Sequence, residues 1–66
     1  MRVNGVQKQY SSGLTISEIL MRENFEKERV AVELNEEIIS KDDYDTTVLK
    51  DTDVMEVVSF MGGGSQ

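Results

Sequence analysis

The sequence predicts an α+β domain in which one main helix packs against a mixed sheet of four to five strands. A single apolar stripe at helical spacing lies among short segments whose apolar residues alternate as in strands. The chain has 66 residues, which is enough for one small domain. Packing one helix on one sheet is the economical way to bury a single stripe.

The first ten residues predict a β-hairpin. Asn4-Gly5 separates two short segments, and both residue types tolerate the positive φ angles of a tight two-residue turn. Met1 and Val3 share one side of the first segment, and Val6 begins the second. Residues 11–13, with the sequence Ser-Ser-Gly, indicate a loop after the hairpin.

The next segment carries the start signal of a helix. Thr15 and Glu18 have capping-box spacing, in which the Thr hydroxyl and the Glu carboxylate each bind the other residue's backbone N–H. The apolar stripe that follows consists of Ile16, Ile19 and Leu20. This pattern predicts a helix that runs from Ile16 to residue 24 or 25.

The second half of the chain predicts three more strands. They are residues 30–34, residues 37–40 and residues 54–61. Asn35-Glu36 forms a turn between the first two strands. Residues 41–50 are mostly polar and indicate an irregular segment with at most one helical turn. The long link between the strands that flank the helix favours a mixed sheet.

The last strand has two distinct faces. Its residues alternate between the set Val54, Glu56, Val58 and Phe60 and the set Met55, Val57, Ser59 and Met61. Because Glu56 is charged, Met55 and Val57 should face the helix-covered core. Val58 and Phe60 then lie on the open face of the sheet, where an apolar pair is a candidate docking patch. The alternatives are that a neighbouring loop covers them or that they are scattered apolar residues of the surface.

The composition excludes several classes of function. The chain contains no cysteine and no histidine, which excludes disulfides, zinc fingers, thiol nucleophiles and histidine-based triads. Its formal net charge of −6 argues against nucleic acid and anionic membranes as partners and favours basic protein surfaces. We find no bilayer-spanning stretch and no signal peptide, and we expect a cytoplasmic protein.

The remaining polar residues form no catalytic or metal-binding pattern. Asp42, Asp43 and Asp45 are crowded carboxylates, but their spacing fails the EF-hand pattern, so a solvated acidic loop is favoured. Tyr10 and Tyr44 are typical of half-buried packing residues rather than catalytic phenols. We therefore expect no catalytic residue, no metal site and no bound cofactor in this chain.

A short tail follows the predicted domain of residues 1–61. Residues 62–66 are Gly-Gly-Gly-Ser-Gln and offer nothing to pack, which predicts flexibility. A glycine run can thread a narrow channel, and a terminal carboxylate with a pKa near ~3.5 is ionised at neutral pH. Such a carboxylate can attack the α-phosphorus of ATP to form an acyl-adenylate. The same composition is also typical of a flexible linker.

These segments, in this order, resemble the ThiS-type sulfur carriers of thiamin (thiazole) biosynthesis, which have a β-grasp, ubiquitin-like fold. The matching stretches are residues 3–5, 15–20, 30–35 and 37–39, Tyr44, and residues 49–64. The resemblance covers residues 1–64. It implies a protein that is a carrier and co-substrate of partner enzymes rather than an enzyme itself.

The resemblance also implies a reaction cycle centred on Gly64. An E1-like adenylating enzyme would activate this residue with ATP and magnesium, and sulfur derived from a cysteine desulfurase would convert it to a thiocarboxylate. Thiazole synthase would then accept the sulfur. Gly62 and Gly63 would form the slim neck that threads into the partner. The implied docking residues are Val58, Phe60 and Met61.

Ser65 and Gln66 depart from the family pattern, which ends at the glycines. While they remain, the Gly64 carboxyl is an amide and is not available for adenylation. Either a protease removes them, or they do not belong to the native protein, or the chain has another role. Such roles include sulfur transfer for molybdopterin or another pathway, and a ubiquitin-like interaction module whose tail is never activated.

Overall fold

The computed structural model describes residues 1–10 and 13–59. Its elements are β1 (Arg2–Val3), β2 (Val6–Gln7), α1 (Ile16–Arg22), β3 (Val30–Leu34), β4 (Glu37–Ile39) and β5 (Val54–Ser59), with short 3-10 turns at Lys27–Arg29 and Lys41–Asp43. The strands form one five-stranded sheet in the order β2-β1-β5-β3-β4. The β1–β5 pair is parallel and the other pairs are antiparallel. The predicted mixed sheet with one main helix is confirmed.

The predicted hairpin is present at the start of the chain. Asn4 and Gly5 have φ angles of 52° and 82°, the pair of positive values that a type I′ turn requires. This turn places Val3 opposite Val6. Val3 is buried whereas Val6 is exposed, because Val6 lies on β2, the edge strand of the sheet.

The capping box at Thr15 forms as predicted. The Thr15 hydroxyl accepts from the Glu18 N–H at 3.2 Å, and the Glu18 carboxylate accepts from the Thr15 N–H at 2.8 Å. The helix ends at Arg22, two to three residues earlier than the pattern predicts. The reason is Asn24, whose φ of 65° lies outside the helical region, so that the Phe25 N–H closes back onto the Leu20 carbonyl at 2.8 Å.

The hydrophobic core lies between α1 and one face of the sheet. Its buried members are Met1, Val3, Ile16, Ile19, Leu20, Val30, Val32, Tyr44, Leu49, Met55 and Val57. The predicted helical stripe is therefore confirmed. Tyr44 is more buried than the half-buried residue the sequence indicates, with its hydroxyl 3.4 Å from the Val30 carbonyl oxygen. Burial raises the pKa of this phenol, which is consistent with a packing role.

The irregular segment between β4 and β5 is anchored by its few apolar residues. It begins with the 3-10 turn Lys41–Asp43 and continues without regular structure to Asp53. Leu49 is buried in the core, and Val48 forms an isolated bridge with Thr15 at the start of the helix. The prediction of an irregular segment with one helical turn is confirmed.

The two faces of β5 are those the alternation predicts. Met55 and Val57 are buried, whereas Glu56 and Val58 are exposed. Across the antiparallel pair, Val57 lies opposite the buried Val32, which places both side chains in the core. The charged residue therefore faces away from the helix.

We expect the substitution Val57→Asp to unfold the domain. The new carboxylate would lie in the core without a partner, which should lower the free energy of unfolding by more than about 3 kcal/mol. Val58→Asp is the matched control, because it adds the same charge one residue along on the exposed face. The free energy of unfolding of that variant should fall by about 1 kcal/mol or less. Urea denaturation measures both, and equal midpoints for the two variants would contradict the face assignment.

Candidate functional site

The candidate site is the open face, which we define as the side of the sheet away from α1. Its strand residues are Arg2, Gln7, Ala31, Glu33, Ile38, Val54, Glu56 and Val58. Three of them are exposed apolar side chains, with exposed fractions of 40% for Val54, 60% for Val58 and 78% for Ile38. Such exposure shows that no described loop covers Val58. It favours the interpretation of this face as a docking surface.

Two shallow hollows lie on the open face, and both are lined by Glu33, Glu56 and Val58. One extends towards Val54 and the turn after β3, and the other extends towards Ile38. A surface of this shape suits the protruding side chains of another protein better than an enclosed small molecule. Val58, which the sequence predicts as a docking residue, lies in both hollows.

Asparagine side chains at two turns hold β5 in register. The Asn4 Oδ1 accepts from the Val57 N–H at 2.6 Å, in the middle of the strand. At the start of the strand, the Asn35 Oδ1 accepts from the Val54 N–H at 2.9 Å. Sequence reasoning identified both residues only as turn formers. Their side-chain contacts with a strand far along the chain had no signal in the local pattern.

Asp53 completes this support just before β5. Its side chain is buried, yet it accepts hydrogen bonds from Asn35 Nδ2 at 3.0 Å and from the Lys50 N–H at 2.8 Å. A buried carboxylate is tolerated when such donors satisfy it. Asp53 therefore joins the turn after β3 to the turn before β5.

Asp45, in the acidic loop, has a structural role. Its carboxylate accepts from the Ser17 hydroxyl and lies 3.2 Å from Lys27 Nζ, so it joins the loop to α1 and the following 3-10 turn. The hydrogen bond from Ser17, followed by the contact with Lys27, lowers the pKa of this carboxyl. Among residues 1–10 and 13–59, no group of three or more acidic side chains is placed to hold a metal ion.

Tyr10 has a comparable structural contact. Its hydroxyl donates to Glu23, and the same carboxylate lies 3.4 Å from Lys8 Nζ. The hydrogen bond to Glu23 raises the pKa of the Tyr10 phenol. The end of the first hairpin is thereby joined to the end of α1.

In the part of the chain that the structure describes, no helix is long and apolar enough to span a bilayer.

The other predicted site residues lie outside the described residues. They are Phe60, Met61, Gly62, Gly63 and Gly64. The structure shows the strand that leads to them, because Ser59 ends β5 opposite Val30 at the start of β3. In the sequence, these five residues come immediately after the central strand of the sheet. The assigned roles of these five residues in docking, threading and activation stay predictions.

The mixed sheet, the one main helix and the central position of the last described strand define the class of this protein, which is that of the small β-grasp domains. The crystal structure of a thiamine biosynthesis protein (ThiS) from Geobacter metallireducens matches with a TM-score of 0.81 and 36% sequence identity, covering 96% of each chain. The model of the ThiS family matches residues 1–64. The chain belongs to the ThiS family.

Two further relatives differ in the share of their own length that the match covers. The sulfur carrier protein ThiS of Bacillus subtilis is 46% identical over 50 residues, which are 76% of each chain. A thiazole synthase of Paramagnetospirillum magneticum is 36% identical over 63 residues. That match covers 96% of this chain but only 19% of the synthase, so the chain spans a small part of the longer protein.

We expect Asn35→Ala to destabilise the attachment of β5. The change removes the acceptor for the Val54 N–H and one of the donors to buried Asp53, and it places alanine at a φ of 52°. The free energy of unfolding should fall by about 2–4 kcal/mol. Asn35→Gly tolerates this φ and therefore reports the contribution of the side chain alone. Its free energy of unfolding should fall by less than that of Asn35→Ala. If both variants had the same denaturation curve as the wild type, the role of Asn35 in attaching β5 would be contradicted.

We expect the substitution Asp45→Asn to make the stability of the domain less dependent on pH. Because the folded pKa of Asp45 is lowered, its ionised form stabilises the native state above about pH 4, and this contribution is lost as pH falls through the folded value. The melting temperature of Asp45→Asn should be below that of wild type at pH 7, and the difference should shrink as the pH falls. Glu37→Gln removes one carboxylate elsewhere and serves as the control. A constant difference across the pH range would contradict this role.

Proposed function

We propose that this chain is a sulfur carrier protein of thiamin biosynthesis, with Gly64 as the residue that bears the sulfur. The observation that carries this proposal is the family match, which runs over residues 1–64 and stops at the last glycine. The similarity to a sulfur carrier protein ThiS over 76% of both chains supports it. The proposal requires that Ser65 and Gln66 be absent from the active form.

The chemistry takes place on the carboxylate of Gly64 and uses groups that partners supply. The carboxylate oxygen attacks the α-phosphorus of ATP, pyrophosphate leaves, and an acyl-adenylate forms. A persulfide sulfur, derived from cysteine by a desulfurase, then attacks the acyl carbon, and AMP leaves. A thiol reduces the resulting acyl disulfide, which breaks the S–S bond, releases a thiocarboxylate and leaves a new disulfide. ATP and magnesium belong to the E1-like adenylating enzyme.

The chain itself contributes binding and presentation in this proposal. It has no cysteine or histidine to act as nucleophile or general base. The open face supplies a docking surface on the same strand that leads to the tail. Gly62 and Gly63 lack a Cβ and would let the tail enter a narrow channel.

Thiazole synthase is the proposed acceptor of the sulfur. A protein of that name from Paramagnetospirillum magneticum contains a stretch similar to 96% of this chain. Because that stretch is 19% of the longer protein, the similarity supports an association between the carrier-like domain and the synthase. It carries no conclusion about the rest of the synthase.

Intact-protein mass spectrometry tests the proposal on two chains, one that ends at Gly64 and one that ends at Gln66. Each is incubated with ATP, magnesium, a thiamin-pathway adenylating enzyme, a cysteine desulfurase, cysteine and a thiol reductant. The chain that ends at Gly64 should gain the mass difference between sulfur and oxygen. The chain that ends at Gln66 should remain unchanged, because its Gly64 carboxyl is an amide.

The same enzymes must modify a carrier already known to be their substrate, as the positive control. If that carrier gains sulfur and the chain that ends at Gly64 does not, the proposed function is wrong. If both forms of this chain gain sulfur equally, then Gly64 is not the residue that bears it.

A further inference from the structure

Asn4 is bound to β5 through both its main chain and its side chain. Its N–H donates to the Met55 carbonyl at 2.9 Å, next to the parallel pairing of Val3 with Met55. If the parallel pairing continued, the main-chain carbonyl of Asn4 would accept from the Val57 N–H, but the chain turns into the hairpin at this point. The side-chain Oδ1 of Asn4 accepts from the Val57 N–H instead, at 2.6 Å. The side chain therefore extends the hydrogen bonding between β1 and β5.

The residue that follows Asn4 gives this side chain a particular reactivity. The main-chain nitrogen of the following residue can attack the side-chain carbonyl carbon of an asparagine. A C–N bond forms, ammonia leaves with the proton of that nitrogen, and a five-membered succinimide results. Water then adds to one or the other ring carbonyl and breaks its C–N bond, which gives aspartate or isoaspartate.

Gly5 makes Asn4 the most reactive asparagine of the chain. Glycine has no Cβ, so its nitrogen is less hindered than that of any other residue. The other asparagines, Asn24 and Asn35, are followed by phenylalanine and glutamate, whose side chains hinder the same attack. Asn4 is therefore the favoured position for deamidation once its side chain and main chain are free to move.

Water has access to the Asn4-Gly5 turn in the folded domain. Both residues are exposed. Among the described residues, other than the chain neighbours of Gly5, no atom lies within 4 Å of the position that a Cβ would occupy on this glycine. Burial therefore gives Asn4 no protection, and any protection in the folded state comes from its conformation.

The conformation of Asn4 holds the reacting atoms apart. Its φ of 52° lies in the left-handed region, as the type I′ turn requires. In this region the Cβ of a residue and the nitrogen of the next residue are nearly trans about the Cα–C bond, whereas ring closure needs them on the same side. The hydrogen bond from Val57 also fixes the Asn4 side chain on β5. The attack therefore requires rotation of the Asn4 main chain and release of its side chain.

We infer that Asn4 is a deamidation site that its contact with β5 keeps closed, and that it reacts when this contact opens. This inference does not rest on the proposed function. β1 pairs with β5 over only two residues and lies near one edge of the sheet, so this part of the sheet should open more readily than its centre. A small population of the open form is sufficient, because each reaction event is covalent.

The two products should differ in their effect on the fold. An aspartate at position 4 retains an oxygen that can accept from the Val57 N–H. In an isoaspartate the main chain runs through the former side chain, which lengthens the turn by one carbon. A two-residue turn sets the pairing of Val3 with Val6, so the longer turn disturbs this hairpin. Isoaspartate formation thereby converts a reversible opening of the sheet into a lasting defect.

Peptide mapping by mass spectrometry measures deamidation of each asparagine in the 66-residue chain, folded in buffer and unfolded in urea at the same pH. In urea, Asn4 should react about tenfold or more faster than Asn24 or Asn35. Folding should slow the reaction of Asn4 by about tenfold or more. Equal rates for Asn4 and Asn35 in urea, or an Asn4 rate that folding leaves unchanged, would overturn the inference.

Asn35→Gly tests whether the contact with β5 closes the site. It removes the side-chain hydrogen bond at the start of β5 and leaves the Asn4-Gly5 turn unchanged. Hydrogen exchange of the Val57 N–H reports the opening at Asn4 directly, because Asn4 is its acceptor. In buffer, this exchange and the deamidation of Asn4 should accelerate by the same factor, about threefold or more. Faster exchange with an unchanged deamidation rate would contradict the inference.

Glu37→Gly is the matched control. It also introduces one glycine, but on β4, which pairs with β3 and not with β5. Exchange of the Val57 N–H and deamidation of Asn4 should both stay within about twofold of wild type. If Glu37→Gly accelerates deamidation as much as Asn35→Gly does, the reaction requires unfolding of the whole domain and the inference is wrong.

The effect of the products is tested on Asn4→Asp and on the isoaspartate form, which is separated by chromatography after incubation in urea and then refolded. Asn4→Asp should keep the slow exchange of the Val57 N–H, because it keeps the acceptor. In the isoaspartate form this N–H should exchange about tenfold faster. Equal exchange in the two forms would overturn the assigned difference between the products.

Discussion

Every part of this domain depends on the pairing of β5 with both β1 and β3. The hairpin β1–β2 and the hairpin β3–β4 are each local structures, and β5 lies between them in the sheet. Residues of β5 also complete the core beneath α1. Until β5 is in place, neither hairpin has enough apolar contact to be stable alone. The last described strand along the chain is therefore the one that makes the sheet a single unit.

The same strand alternates residues of the core with residues of the open face. Met55 and Val57 hold the core, and Glu56 and Val58 are presented outward. A slip of one residue would exchange the two sets, so the register that the asparagines Asn4 and Asn35 enforce matters for both. The geometry of the open face is consequently as well defined as that of the core, because residues of the two faces alternate along one strand.

Local signals in the sequence were sufficient for most of the fold. The Asn4-Gly5 turn, the capping box at Thr15 and the alternation in β5 depend on neighbouring residues, and each was predicted. The early end of the helix at Arg22, which the positive φ of Asn24 brings about, was missed, because asparagine only sometimes adopts a positive φ.

The open face was predictable from the sequence, but its composition was not. Alternation indicates which side of a strand a residue occupies, whereas the opposition of Glu33 and Glu56 requires the register between strands 23 positions apart. The contact of Asn35 with buried Asp53 is hidden for the same reason. In the structure, Met1 is buried and its ammonium group lies 3.4 Å from the Lys8 carbonyl, at the level where β5 begins. Since β5 then runs about 16 Å further to Ser59, the first residue of the chain and the last described residue lie at opposite ends of the central strand.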